Sequence, residues 1–278
     1  MMTFIKWFFK KQWSMTVGAF IILALVLMAA FGPDMVSYKP EQMDMSNRFS
    51  PPTDIHWLGT DNFGRDLWTR MSFGARLSLF IALISVGVSS LLGTWVGLAS
   101  GYFGGWFDML VMRVVDIFLG FPVIILALAL IAVLGPGPVN VILALIAVFW
   151  TQYARVARSI ALAEREREYV MAAHAIGASN LRILARHILP NSLGPILVLA
   201  TLGLGTAIIA ESALSFLGFG VQPPEPSWGW TLSYGMRVLR DAPHLSVVPG
   251  VAIMITVLGF NLMGDGLRDR LDPRGMTK

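Results

Sequence analysis

Residues 77–100 read LSLFIALISVGVSSLLGTWVGLAS, a run with no Asp, Glu, Lys or Arg anywhere in it. About 20 consecutive apolar residues are enough for a helix to cross the hydrocarbon core of a bilayer. This run is long enough, so it predicts a membrane-spanning helix, and it sets the scale for reading the rest of the chain. Five further stretches of the same kind stand around it: Met15 to Phe31, Phe107 to Leu134, Val139 to Ala154 after the Gly135-Pro136-Gly137-Pro138 turn, Ser192 to Phe219, and Val247 to Met263. The expectation is an all-α membrane protein of six transmembrane helices. Residues 1–76 would form an N-terminal anchor helix with an outer loop, and residues 77–278 a five-helix core.

Composition supports this reading. Of 278 residues, 55% are hydrophobic and 14% charged, with mean hydropathy +0.67. Soluble domains carry about 25% charged residues, so a cytosolic fold lacks the polar surface it needs. Disorder demands low hydrophobicity and high net charge, and is excluded as well. The absence of cysteine removes disulfides and thiolate metal sites.

Net charge is +4. In a membrane protein the placement of basic residues carries more meaning than their sum, and no nucleic-acid partner is expected. With the N-terminus inside, the inner segments 1–14, 101–106, 155–190 and 265–278 hold thirteen Lys and Arg against seven in the outer segments. That bias puts both termini in the cytoplasm. Lys6, Lys10 and Lys11 before an apolar run also describe a signal peptide. The length of the run and the poor cleavage site at Gly32-Pro33-Asp34 favour a retained anchor.

No phosphate-binding Gly-x-x-x-x-Gly-Lys-Ser/Thr loop exists, because none of the five lysines follows a glycine. His-Glu-x-x-His and Gly-x-Ser-x-Gly are also absent. His56, His174, His187 and His244 are scattered over loops on both predicted sides. No catalytic residue, metal site or resident cofactor is therefore expected.

The richest stretch is RVARSIALAEREREYVMAAHAIGASNLRILARHILP, residues 155–190. Arg155 and Arg158 lie one turn apart at the end of a span, placed to snorkel toward lipid headgroups. Tyr169 to Ile176 predicts a short helix, Gly177 its C-cap, and Ser179 or Asn180 the cap of a second short helix stopped by Pro190. Small Ala172 and Ala173 would let another surface approach closely. An amphipathic loop lying on lipid is the alternative.

The spacing Ala172-Ala173-x-x-x-Gly177, with Leu189-Pro190 ending thirteen residues after the glycine, resembles the "EAA" loop of ABC-importer permeases. The resemblance implies a coupling helix docking on a cytoplasmic ATPase, with Glu168, Met171, Ala172, Ala173, Gly177, Ala178, Ser179, Asn180, Leu189 and Pro190 as its residues. The family's glutamate position holds Met171 here, with Glu168 one turn earlier. HWLGTDNFGRDLWTRMSFGARLSL (56–79) is similar to the N-terminal signature of C-type permeases of dipeptide, oligopeptide and nickel importers. GYFGGWFDMLVMRVVDIFLGFP (101–122), ESALSFLGFGVQPPEPSWG (211–229) and FNLMGDGLRDRLDPR (260–274) resemble the same group. This implies the type I ABC-importer permease fold in a plasma (inner) membrane. It also implies a homologous B-type permease, two ATPase subunits that carry ATP and Mg, and an extracytoplasmic substrate-binding protein. Peptides or related small solutes would be the cargo.

Other residues have two readings each. Gly59, Thr60, Asp61, Gly64, Arg65 and Asp66 form either an outer element touching the binding protein or a self-satisfied cap before the second helix, with surface ion pairs of little energy. Arg113 stands three residues before Asp116, and the two are expected to pair on one helix face. Glu211, an intramembrane acid, would meet a substrate amino group or pair with a partner subunit. Residues 222–230 predict a rigid outer loop with interfacial tryptophans. Asp265, Arg268, Asp269, Arg270 and Asp272 would end the last span beside the coupling loop. The rival from another class is a self-sufficient proton-coupled transporter using Asp116 or Glu211.

Overall fold

The computed structural model describes residues 2–271, with side chains from Trp13 onward. The basic flank at Lys6, Lys10 and Lys11 lies outside the described side chains, and Asp272, Arg274 and Lys278 lie outside the described residues. Ten α-helices account for most of the described chain: α1 (Met2–Phe31), α2 (Leu67–Phe103), α3 (Gly105–Leu119), α4 (Val123–Leu134), α5 (Pro138–Glu164), α6 (Glu168–Ala175), α7 (Asn180–Ile183), α8 (Leu189–Phe216), α9 (Trp228–Arg237) and α10 (His244–Leu271). Among the described residues the only β-pairing is the bridge between Thr60 and Asp66. The end carrying residues 32–66 is termed outer and the end carrying α6 and α7 inner, after the charge asymmetry of the sequence.

Five helices are long and apolar enough to cross a membrane, and α3 with α4 makes a sixth if the pair is counted as one bent span. Here the structure corrects the single helix expected from Phe107 to Leu134. The axis turns by 93° between Leu119 and Val123. Gly120 closes α3, while Pro122 has no N–H to donate and holds an extended ψ of 131° at the start of α4. Proline also disfavours a helical residue before it, so the break falls where the sequence reads Gly-Phe-Pro.

α2 and α5 form the most extensive helix pair. Their contact is built from glycines four residues apart. A Cβ on Gly93 would stand 2.2 Å from the Trp150 carbonyl oxygen, one on Gly97 2.2 Å from that of Ala154, and one on Gly101 2.5 Å from that of Arg158. Hydrocarbon gives no hydrophobic drive between helices, so close backbone approach supplies the attraction. α1 lies along α10 by the same device, with Gly18 against Gly259 and Met263, and Gly266 against Met15. The outward faces carry large apolar side chains such as Phe20, Leu83, Leu91 and Met254, a surface suited to lipid or to another subunit.

α7 does not stop at Pro190 as the sequence suggested. The chain passes through a π-turn at Leu184–Ile188 directly into α8, with the Leu189 N–H bonded to the Leu184 carbonyl. Widening the turn shifts the carbonyl pairing by one residue, which absorbs the donor that proline lacks. The outer stretch 219–244 is likewise more than a loop. Trp228 starts α9 and is fully buried, its Nε1 donating to the Met71 carbonyl at 2.9 Å, so it is a packing residue and not an interfacial anchor.

Candidate functional site

The segment between α5 and α8 forms a protrusion at the inner end. α6 closes with a Schellman motif: the Gly177 N–H reaches the His174 carbonyl (2.9 Å) and the Ala178 N–H the Ala173 carbonyl (3.0 Å). Gly177 has φ +81°, the left-handed conformation this motif needs. The Ser179 hydroxyl then accepts from the Arg182 N–H at 3.4 Å and starts α7. Val170, Ala173, Ile183, Leu184 and Ile188 face inward. Of the two alanines expected to receive a partner surface, only Ala172 is exposed, and Ala173 packs inside. Met171 is half exposed, and Glu168 sits exposed in the first turn of α6. The bare apolar tip is completed by Ile176, 86% exposed, and Leu181. The sequence reading missed these two. The spacing of Ala172 and Ile176 on one face, with Val170 and Ala173 opposite, was the available signal.

Polar ties hold the protrusion to the spans. The Tyr102 hydroxyl, at the inner end of α2, donates to Asn180 Oδ1 (3.1 Å) and shares a hydrogen bond with His174 Nε2 (2.8 Å), with the two rings nearly parallel. Arg165 Nη1 donates to the Gly101 carbonyl at 3.1 Å. On the other flank the Tyr169 hydroxyl donates to Glu164, and Asn191 Nδ2 donates to Tyr169 at 2.8 Å. Burial first, and the Glu164 carboxylate second, push the Tyr169 phenol above its ordinary pKa, so it stays a neutral donor. Leu189 and Pro190 begin α8, directly after the π-turn that accommodates the N–H Pro190 lacks.

The expected Arg113–Asp116 pair is not formed. Asp116 instead receives Arg155 Nη2 from α5 at 2.6 Å, and Asp108 receives Arg158 through Nε and Nη2 at 2.5 and 2.6 Å. Arg155 and Arg158 therefore each tie α5 to a carboxylate of α3. The 93° bend explains the difference. It lets α3 cross the inner end of α5, where these cations project, while Arg113 points to the exposed side of α3.

Glu211 is also corrected. It is 0% exposed within the chain, so in this conformation its contacts are the chain's own hydroxyl groups. Its carboxylate accepts from Ser78 of α2 (2.8 Å), Ser215 of α8 (2.9 Å), the α9-capping residue Ser227 (3.3 Å) and Ser212 (3.4 Å). The cluster ties three elements together at the outer end. A buried carboxyl group with this many donors is a satisfied structural node.

At the outer end, residues 56–66 fold into a compact cap. Asp66 accepts from the Thr69 N–H (2.8 Å) and hydroxyl (2.7 Å) at the start of α2, and pairs with His56 Nδ1 at 2.9 Å. Asp61 accepts from the N–H groups of Phe63 and Arg65 and from Arg65 Nε at 2.7 Å. These groups are buried, not the surface ion pairs read from the sequence. Gly59 (φ +83°) and Gly64 (φ +69°) supply left-handed turns, and a Cβ on Gly64 would collide with the Asp44 carbonyl. The Thr60 hydroxyl donates to the Asn47 carbonyl and fixes the preceding turn. The inner end of α10 packs on Gly194 near the start of α8 and on Met15 of α1. Among the described residues no group of three or more His, Asp or Glu could hold a metal ion.

Apolar spans with polar features gathered at the two ends, and a buttressed helix–glycine–helix protrusion at one of them, are the architecture of a multi-pass membrane protein. Residues 67–275 match the family described as the binding-protein-dependent transport system inner membrane component, and residues 6–52 match the N-terminal TM domain of oligopeptide transport permease C. The chain belongs to this family and is a multi-pass permease subunit of an ABC importer with the type I permease fold. It is 48% identical over 265 residues to the dipeptide transport system permease protein DppC of Alkalihalophilus pseudofirmus, covering 95% of this chain and 87% of that one. It is 42% identical over 268 residues to the glutathione transport system permease protein GsiD of Escherichia coli, covering 96% and 88% respectively.

Proposed function

We propose that this chain moves small peptides or related solutes. It would work together with a homologous B-type permease, two ATPase subunits that bind ATP and Mg, and an extracytoplasmic binding protein. Both termini lie in the cytoplasm in this reading. The observation that carries it is the protrusion of α6 and α7. Its tip exposes Met171, Ile176 and Leu181, while its base is bonded to α2 through Tyr102 and to α5 and α8 through Glu164 and Asn191. An exposed apolar tip on a rigid, small helix pair suits a protein groove better than open water. The bonded base carries any displacement of that tip into the spans. Closure of the ATPases on nucleotide would push the protrusion and favour the outward-facing state, and hydrolysis would reset it.

The cargo class rests on the relatives, one named for dipeptides and one for glutathione, itself a peptide. The test is purification of the tagged chain from its host in mild detergent, then reconstitution of whatever accompanies it. The expected result is a second permease and ATPase subunits in the complex, with dipeptide uptake that requires ATP and the binding protein. A chain that purifies alone and takes up dipeptide on a proton gradient would overturn the reading.

A further inference from the structure

The outer cap and α9 enclose a half-open cavity of about 360 Å³. Three arginines are among its lining residues, Arg65, Arg70 and Arg237, and Asp61 is the one carboxylate among its described lining residues. Arg65 holds Asp61 Oδ2 at 2.7 Å, and Arg70 Nε stands 3.6 Å from the same oxygen. Arg70 is only 3% exposed, and its Nη1 is held by the Pro40 carbonyl at 3.1 Å. Glu41 also acts on Arg70, but more weakly than Asp61 does, and it does not line the cavity. Arg237, in the last turn of α9, has no ion-pair partner among the described residues. One carboxylate thus serves two buried cations, while exposed Arg237 adds a third positive charge to the same lining. Burying uncompensated charge is costly, and a planar guanidinium is best satisfied by a carboxylate taken two-pronged. Trp230 and Tyr234 add flat apolar walls. The volume falls within the range of about 300–1,000 Å³ typical of small-ligand sites.

We propose that this cavity is a carboxylate-binding site, in which Arg70 and Arg237 grip a carboxylate whose apolar stem lies against Trp230 and Tyr234. Two sources carry that chemistry at the outer face: a free small carboxylate such as a dipeptide, or an acidic side chain of the docked binding protein. The inference rests on the importer reading only for the second source.

The test uses the purified importer in nanodiscs, wild type, Arg70→Gln and Arg237→Gln. Two readouts are taken: the affinity for glycyl-leucine against its C-terminal amide by calorimetry, and the concentration of binding protein that half-saturates stimulation of ATP hydrolysis. Losing a charged hydrogen bond should weaken the responsible interaction about tenfold or more. A dipeptide affinity that falls on amidation and in either variant assigns the site to a small carboxylate. A raised half-saturating concentration, with dipeptide affinity unchanged or absent, assigns it to the binding protein's side chain. Arg237 is exposed, so its variant folds even where Arg70→Gln does not. No change in either readout for Arg237→Gln overturns the proposal. In that case a wild-type complex stimulated by binding protein leaves the importer reading standing, whereas an unstimulated wild type removes that reading separately.

Discussion

Gly177 stands at φ +81° with open space where a Cβ would project, so the backbone and not a neighbour sets its requirement. A β-branched side chain costs about 1–2 kcal/mol in the left-handed region, while Asn tolerates it. Gly177→Val should therefore swing α7 relative to α6 without disturbing the spans. Expression and ATP turnover should persist in the reconstituted importer while uptake falls several-fold, and Gly177→Asn should restore most of it. Equal uptake by Val, Asn and wild type would refute the role of this turn. Glu211 poses a different question at the same scale. Four hydroxyl groups converge on it, so Glu211→Gln, which keeps one acceptor oxygen and the shape, should retain stability and uptake. Glu211→Leu strands those hydroxyls at about 1–3 kcal/mol for each one left unpaired, and should lower the melting temperature in detergent. Loss of uptake in a stable Glu211→Gln protein would restore this acid as a proton carrier.

The helices were legible because a bilayer demands long apolar runs and tolerates few charges, and residues 77–100 advertise that without any context. The glycines at 93, 97 and 101 repeat every four residues in the sequence, but which helix they meet is set by the fold. The expected third helix failed because Phe107 to Leu134 is continuous in composition, while one Gly-Phe-Pro triplet governs its backbone. The π-turn at Leu184–Ile188 was hidden for a related reason: proline signals a stop, yet a widened turn lets a helix pass it. The Arg155–Asp116 pair was unreadable because it depends on that bend. A comparison within α2 tests the stripe. Gly97→Leu places atoms where the Ala154 backbone already stands, and overpacking of about 1–3 kcal/mol or more should part α2 from α5. Gly87 on the same helix has no neighbour within 4 Å, so Gly87→Ala should be neutral or mildly stabilising. Thermal unfolding of the purified chain in detergent separates the two, and similar melting temperatures would contradict the packing account.

Across the whole molecule, α2 joins the outer cap to the protrusion. Its 37 residues span about 55 Å at the α-helical rise, longer than a bilayer core requires. At its outer end Asp66 caps it and joins it to His56, and Arg70 lines the basic cavity; at its inner end Tyr102 holds both short helices of the protrusion. Between them the glycine stripe brings the backbones of α2 and α5 into direct contact, which favours their displacement as a pair. A continuous helix between the outer cap and the protrusion is a candidate route for the proposed coupling, and the following variant tests it. Tyr102→Phe cuts the inner link with the ring retained. His174 and Asn180 then lose their common partner, and the protrusion keeps only the Arg165 and Tyr169 ties. The expected outcome in the reconstituted importer is ATP hydrolysis that depends less on binding protein, and uptake per ATP reduced several-fold, at unchanged melting temperature. A Tyr102→Phe importer with wild-type uptake per ATP would shift the coupling to the Glu164–Tyr169–Asn191 side of the protrusion.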